Sequence, residues 1–181
     1  MENTTSPVQA SVKSGMIIGL LMLIINFVIY FIDYSLLVAA WYNIFVLILF
    51  FALIIYFGRQ YRKEIGGYMT FSTAFQFSFV TLIISGLIAT IGSVLLYSVI
   101  DPGLPEILVE RQLEGMLSML DKFGAGDSIS ADQLDEMRSE MSRSYTVMGQ
   151  IKAFGFALII YAIMSLILGA ILKKRDKSLD Y

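Results

Sequence analysis

Apolar residues fall along this chain in long runs, with little of the alternation that marks a strand or a one-sided helix. Four runs approach the roughly 20 residues an α-helix needs to cross a hydrocarbon core of about 30 Å: 16–32, 36–57, 75–100 and 153–172. Asn26 is the only strongly polar residue of the first, and the core of the second, from Asn43 onward, carries no charge. The pattern predicts an all-α membrane protein with four transmembrane helices. No Gly or Pro separates the first two runs, so their turn must fall between Asp33 and Ala40, at a position the pattern does not fix. Trp41 and Tyr42 then anchor the start of the second helix at the interface.

A different rhythm follows the third run. Asp101-Pro102-Gly103 stops a helix and Pro105 can open another. Val109, Leu113, Met116, Leu120 and Phe123 recur at helical spacing, and Gly124 ends the stretch. Ser130 with Gln133 reads as a capping box, after which Leu134, Met137, Met141, Tyr145 and Met148 line a second stripe. The prediction is a helical hairpin with arms of about 18–20 residues each. No Pro interrupts the path onward, so the second arm is expected to run unbroken from Ala131 to Leu172, about 60 Å at the α-helical rise. Residues 1–100 therefore hold three spans, 101–150 the hairpin, and 151–181 the fourth span with a basic tail, as one continuous membrane domain.

Composition agrees and narrows the chemistry. The 181 residues are 57% hydrophobic and 15% charged, with a mean hydropathy of +0.74. A net charge of −2 offers no basic excess for a nucleic-acid partner. The chain has no His and no Cys, which removes the commonest general base and metal ligand together with thiol chemistry. No catalytic residue, metal or cofactor is expected.

Lys and Arg set the orientation, because positive residues resist translocation. Lys13 precedes the first span, Arg59, Arg62 and Lys63 follow the second, and Lys173, Lys174, Arg175 and Lys177 follow the fourth. The 101–152 connection instead holds ten acids against five bases. Both termini are thus expected in the cytoplasm and the hairpin outside. The first run exceeds a leader's usual apolar stretch, and Asp33 and Tyr34 precede Val38-Ala39-Ala40, so it reads as a span and not as a cleaved signal.

Inside the spans, Asn26, Asn43 and Gln76 are the candidate polar contacts, either glue between helices or the lining of a path. Gly15 and Gly19, and Ser85, Gly86, Ala89, Gly92 and Ser93, are candidate packing positions, small enough to bring backbones together. Proton-coupled transport loses support, since no charged residue lies near the middle of a span. The hairpin is either a docking surface for an extracytoplasmic protein or a cap that buries its stripes on itself. Glu106, Glu110 and Glu114 stand one turn apart and read as a solvated face. The expectation is a non-enzymatic interaction or scaffold protein, with a passive channel or small-solute transporter as the alternative. The bilayer is the certain partner, and an oligomer is permitted but not required.

Tyr61-Arg62-Lys63 leading into Gly67-Tyr68-Met69-Thr70-Phe71-Ser72-Thr73-Ala74-Phe75, the Ile100-Asp101-Pro102 that closes the third span, and Lys173-Lys174 after the fourth carry a family likeness. The chain resembles an uncharacterised family of bacterial four-helix membrane proteins, a domain of unknown function found chiefly among Bacteroidetes. The resemblance implies a bacterial inner-membrane protein, and it carries over no catalytic residue. Thr70 accounts for part of the motif as the cap of the third helix.

Overall fold

Ser6 and Gln9 start the first helix. The Gln9 amide donates to Ser6 Oγ (3.3 Å) and the Ser6 amide to Gln9 Oε1 (3.4 Å), a reciprocal cap around Pro7 at the first helical position. In the computed structural model, which describes residues 6–124 and 129–175, this helix α1 spans Pro7–Asp33 and absorbs the first apolar run. Asp33 Oδ1 then accepts from the Ser35 amide (2.9 Å) and opens a 3-10 turn, Tyr34–Val38, before α2 (Ala40–Glu64). The turn lies within the window set by Asp33 and Ala40. Asn43 locks it, its side-chain nitrogen donating to Leu37 O (3.2 Å) and Ala39 O (3.0 Å).

Gly66 and Gly67 reverse the chain with φ of 98° and 86°, values that favour a residue without Cβ. Thr70 Oγ1 accepts from the Thr73 amide (3.2 Å), the cap expected at the start of α3 (Phe71–Leu95). That helix widens into a π turn, Leu96–Ile100, closed by the Asp101 amide on Leu96 O (2.8 Å). α4 (Leu104–Lys122), α5 (Ala131–Ser144) and α6 (Val147–Leu172) follow. The capping box at Ser130 and Gln133 is formed. Residues 125–128 of the hairpin loop and Lys177 of the basic tail lie outside the described residues.

The unbroken helix expected from Ala131 to Leu172 is not what forms. α5 stops at Ser144 after 14 residues, shorter than the expected arm, and Tyr145-Thr146 make a turn before α6. The physical cause is Thr146. Its hydroxyl donates to Arg143 O (2.7 Å) and accepts from the Gly149 amide (3.1 Å), so one side chain ends a helix and caps the next. Gly149 makes this turn tight, since a Cβ there would collide with the Arg143 carbonyl.

Among the described residues, four helical stretches are long and apolar enough to cross a membrane: Pro7–Val38, Ala40–Glu64, Phe71–Ile100 and Val147–Leu172. They are apolar on all sides, and large side chains such as Ile24, Ile48, Phe156 and Ile163 stay exposed, as lipid-facing residues do.

The chain divides into two compact units. The first comprises Met1–Ile24, Phe45–Ala89 and Phe154–Tyr181, the second Ile25–Ile44 and Thr90–Ala153. In the first, Ala10, Tyr61, Met69, Ala74, Phe77 and Leu172 form a buried cluster in which the Tyr61 and Phe77 rings stack at 5.4 Å. The first turns of α1 and α3 thus meet the last turns of α2 and α6. In the second, Leu96, Leu104 and Leu108 are buried among Phe27, Tyr30, Leu37, Val38, Tyr97 and Tyr145.

Candidate functional site

Polar side chains within the apolar helices are the first place to look for a path or a site. Of the amides, Asn26 is half-buried on α1, Asn43 is spent on the turn already described, and Gln76 is exposed in the second turn of α3. Hydroxyls are the groups buried deepest. Ser11, Ser78, Thr81 and Ser165 have no exposed surface, and Ser14 and Ser85 are nearly sealed.

Each hydroxyl hydrogen with an assigned acceptor points at backbone. Ser78 donates to Ala74 O (2.9 Å), Ser85 to Thr81 O (2.7 Å), Ser165 to Tyr161 O (2.6 Å), and Ser11 to Pro7 O. Thr81 reaches across from α3 to the Ser11 carbonyl of α1 at 3.4 Å. A serine bonded to the preceding turn of its own helix presents only its small bulk to a neighbour. These serines therefore direct their protons to backbone and offer their small bulk to the neighbouring helix.

Glycine brings the same helices together. A Cβ on Gly15 would meet Ile84 Cβ at 2.8 Å, and one on Gly19 would meet Ile88 Cδ1 at 2.9 Å. Gly86 lies under the Tyr161 hydroxyl of α6. Gly92 is buried, Ser93 half-buried and Ala89 exposed on the same helix, α3. Sequence reasoning passed over Gly58, whose Cβ would strike Leu172 Cδ1 at 2.5 Å, and Gly169, packed on the Phe71 ring at 3.1 Å. Gly58 closes the second apolar run and Gly169 stands alone within the fourth, so a single Gly is the signal at each.

Charge concentrates instead on α4 and α5. Asp101 sets the start of α4: Oδ1 accepts from the Leu104 amide (3.1 Å) and Oδ2 from the Tyr30 hydroxyl (3.0 Å). Leu104, Leu108, Val109 and Leu113 then face inward, two of them beyond the stripe read from the sequence. At the other end of the stripe Phe123 is 76% exposed, and on α6 Met148 is 60% exposed, so neither is covered by a partner arm as the hairpin reading expected. Glu110 pairs with Arg138 of α5 (2.8 Å) and Glu114 with Arg111 (3.2 Å). Among the described residues no group of three or more His, Cys, Asp or Glu is placed to hold a metal.

α4 packs against the 3-10 turn beneath it, leaving an open cleft of about 680 Å³. Val38, Ala39, Met116 and Met119 give it apolar walls, and Arg111 and Glu114 a charged edge. Nearby, Gln112 Nε2 donates to the Tyr145 hydroxyl (2.8 Å), and the Tyr97 and Tyr145 rings meet edge to face at 4.9 Å. Burial, with Tyr97 beside it, pushes the Tyr145 phenol up to about 12 although the Gln112 bond pulls the other way. It stays neutral at ordinary pH and serves as a hydrogen-bonding strut, with none of the acid or base strength catalysis needs near neutrality.

A family described as "Protein of unknown function (DUF4199)" matches residues 13–174, and the chain belongs to it. No curated protein matches the chain. No solved structure matches it either.

Proposed function

We propose that this DUF4199 protein is a non-enzymatic interaction or scaffold protein of the bacterial inner membrane, holding α4 and α5 on the extracytoplasmic side with both termini in the cytoplasm. The Lys and Arg distribution supports this orientation: Lys13, Arg59, Arg62, Lys63, Lys173 and Lys174 flank the helix ends gathered around the Ala10, Tyr61, Met69 and Leu172 cluster. The acidic 101–146 segment follows an odd number of crossings and so emerges on the other side.

One observation carries the interaction reading. Met119, on α4 and lining its cleft, and Phe123, at the C-cap of that helix, lie outside all four apolar spans and are 60% and 76% exposed. Large apolar side chains presented outside the membrane mark contact surfaces. The intramembrane hydroxyls, by contrast, are spent on backbone carbonyls and leave little to conduct a solute. A photo-crosslinking residue at Met119 is expected to capture a discrete protein adduct in native membranes, whereas the same residue at exposed Glu136 captures none. Absence of any adduct, together with solute flux through the purified protein in liposomes, would favour the channel reading and overturn this one.

A further inference from the structure

The cationic residues at one end of the first unit are held in place more firmly than a topology signal requires. Arg62, in the last turn of α2, donates through Nη1 to the Leu172 carbonyl at the end of α6 (2.8 Å). That bond satisfies a carbonyl left without a helical partner and fixes the plane of a half-buried guanidinium. Beyond α6 the chain closes a two-residue bridge onto the start of α3: the Met69 amide donates to Lys174 O (3.0 Å) and the Lys174 amide to Met69 O (2.8 Å). The bridge positions Lys174 so that its ammonium lies 5.5 Å from the centroid of the Tyr68 ring. Lys63, Lys173 and Arg175 flank these two as exposed cations.

Little offsets this charge. Among the described residues the salt bridges are those of Arg111 and Arg138 on α4 and α5, and none involves the cations at this end. Glu64, which is exposed, and Asp176, outside the described residues, are the acids beside them in sequence, against Arg62, Lys63, Lys173, Lys174 and Arg175. Arg62 is anchored on the Leu172 carbonyl and Lys174, two residues further along the chain, is bridged to Met69, so both charges are held at the end of α6, where an anion relieves their repulsion. Arg62 keeps most of its five N–H donors in the planar fork that matches a phosphate, with Lys174 as a point charge beside it.

The surroundings select the source of that phosphate. The cations sit at the ends of helices that are long and apolar enough to cross a bilayer, which is where headgroups lie. Tyr68 and Phe71 are 43% and 42% exposed next to them, and Ile171 on the last turn of α6 is 46% exposed, an apolar flank for acyl chains. We propose that Arg62 and Lys174, with Lys63 and Lys173 around them, form a headgroup site for an anionic phospholipid at the junction of α2, α3 and α6. A charge that only sets topology needs no partner on a second helix, whereas here Arg62 and Lys174 tie three helix ends together. A lipid bridging them staples the same junction.

The test is spin-label lipid association with the full chain in phosphatidylcholine vesicles, comparing trace spin-labelled phosphatidylglycerol with spin-labelled phosphatidylcholine. A preference of about three- to tenfold for the anionic lipid is expected, weakening as salt rises. Lys174→Gln keeps the backbone bridge and should bring the ratio close to one, while Arg175→Gln, on the flank, should change it little. Arg62→Lys retains the charge without the fork and should fall between, its helicity checked by circular dichroism. Equal association of both lipids, or a preference untouched by Lys174→Gln and Arg62→Lys, overturns the proposal. Displacement of the labelled lipid by millimolar inorganic phosphate overturns the lipid assignment, since the site would then take the free ion. None of these outcomes depends on what α4 and α5 bind.

Discussion

Gly15 of α1 and Ile84 of α3 are pressed together so closely that a Cβ on the glycine would stand 2.8 Å from Ile84 Cβ. Thr81 crosses the same contact to the Ser11 carbonyl, so one helix pair is joined by both packing and a hydrogen bond. In a bilayer, where lipid tails are as apolar as Leu, such close approach supplies much of the association between helices.

Gly15→Leu is therefore expected to cost about 1–3 kcal/mol, the usual range for overpacking a filled core, read as a lower unfolding temperature in detergent. Gly155 is the internal control. Nothing lies within 4 Å of a Cβ built there, so Gly155→Ala should be neutral or stabilise by up to about 1 kcal/mol through helix propensity. Equal effects at the two positions would contradict the close α1 and α3 contact.

Asp101 and Tyr30 offer a second test, because the carboxylate both caps α4 and receives the Tyr30 hydroxyl. Tyr30→Phe should cost about 1 kcal/mol and Asp101→Ala about 1–3 kcal/mol, the larger loss reflecting two acceptor roles. A double-mutant cycle should show coupling above about 0.5 kcal/mol, and strictly additive effects would count against the bond.

The turn at Tyr145-Thr146 separates two proline substitutions. Val147 is the first residue of α6, where Pro is tolerated, so Val147→Pro should leave helicity and membrane insertion nearly intact. Gln150→Pro removes the Gln150 amide bond to Thr146 O (2.9 Å) and should cost about 3 kcal/mol or more. An unbroken helix through this region would make both changes equally damaging.

High pH reports on Tyr145. Its phenol is held near 12 in the fold against an ordinary value of 10.0, so the folded state keeps a proton that the unfolded chain releases first. The stability this contributes is complete below pH 10 and is lost as pH rises through 12. Melting temperatures across that window should fall less steeply in Tyr145→Phe than in the unmodified protein.

These particulars show which parts of the structure the sequence announces. The spans are legible because an all-round apolar helix has one stable home, and the Asp33 to Ala40 window and the Thr70 cap follow from single polar residues. The Ser6 and Gln9 cap was equally local and readable, yet the apolar pattern drew the start of α1 to Met16. The break before α6 is harder, because Thr146 breaks a helix only where its hydroxyl can serve Arg143 and Gly149 at once. Contacts such as Arg62 with Leu172 join residues far apart in the chain, and no local pattern encodes them.

The central claim is that four crossings place α4 and α5 on the extracytoplasmic side, and a chain without cysteine lends itself to a direct measurement. Single thiols are introduced at exposed Ser139 on α5 and exposed Gln60 on α2, and intact cells are treated with a membrane-impermeant maleimide. The account predicts that Ser139→Cys is labelled in intact cells and Gln60→Cys only after the membrane is opened. Labelling of Gln60→Cys from outside, with Ser139→Cys protected, would contradict it.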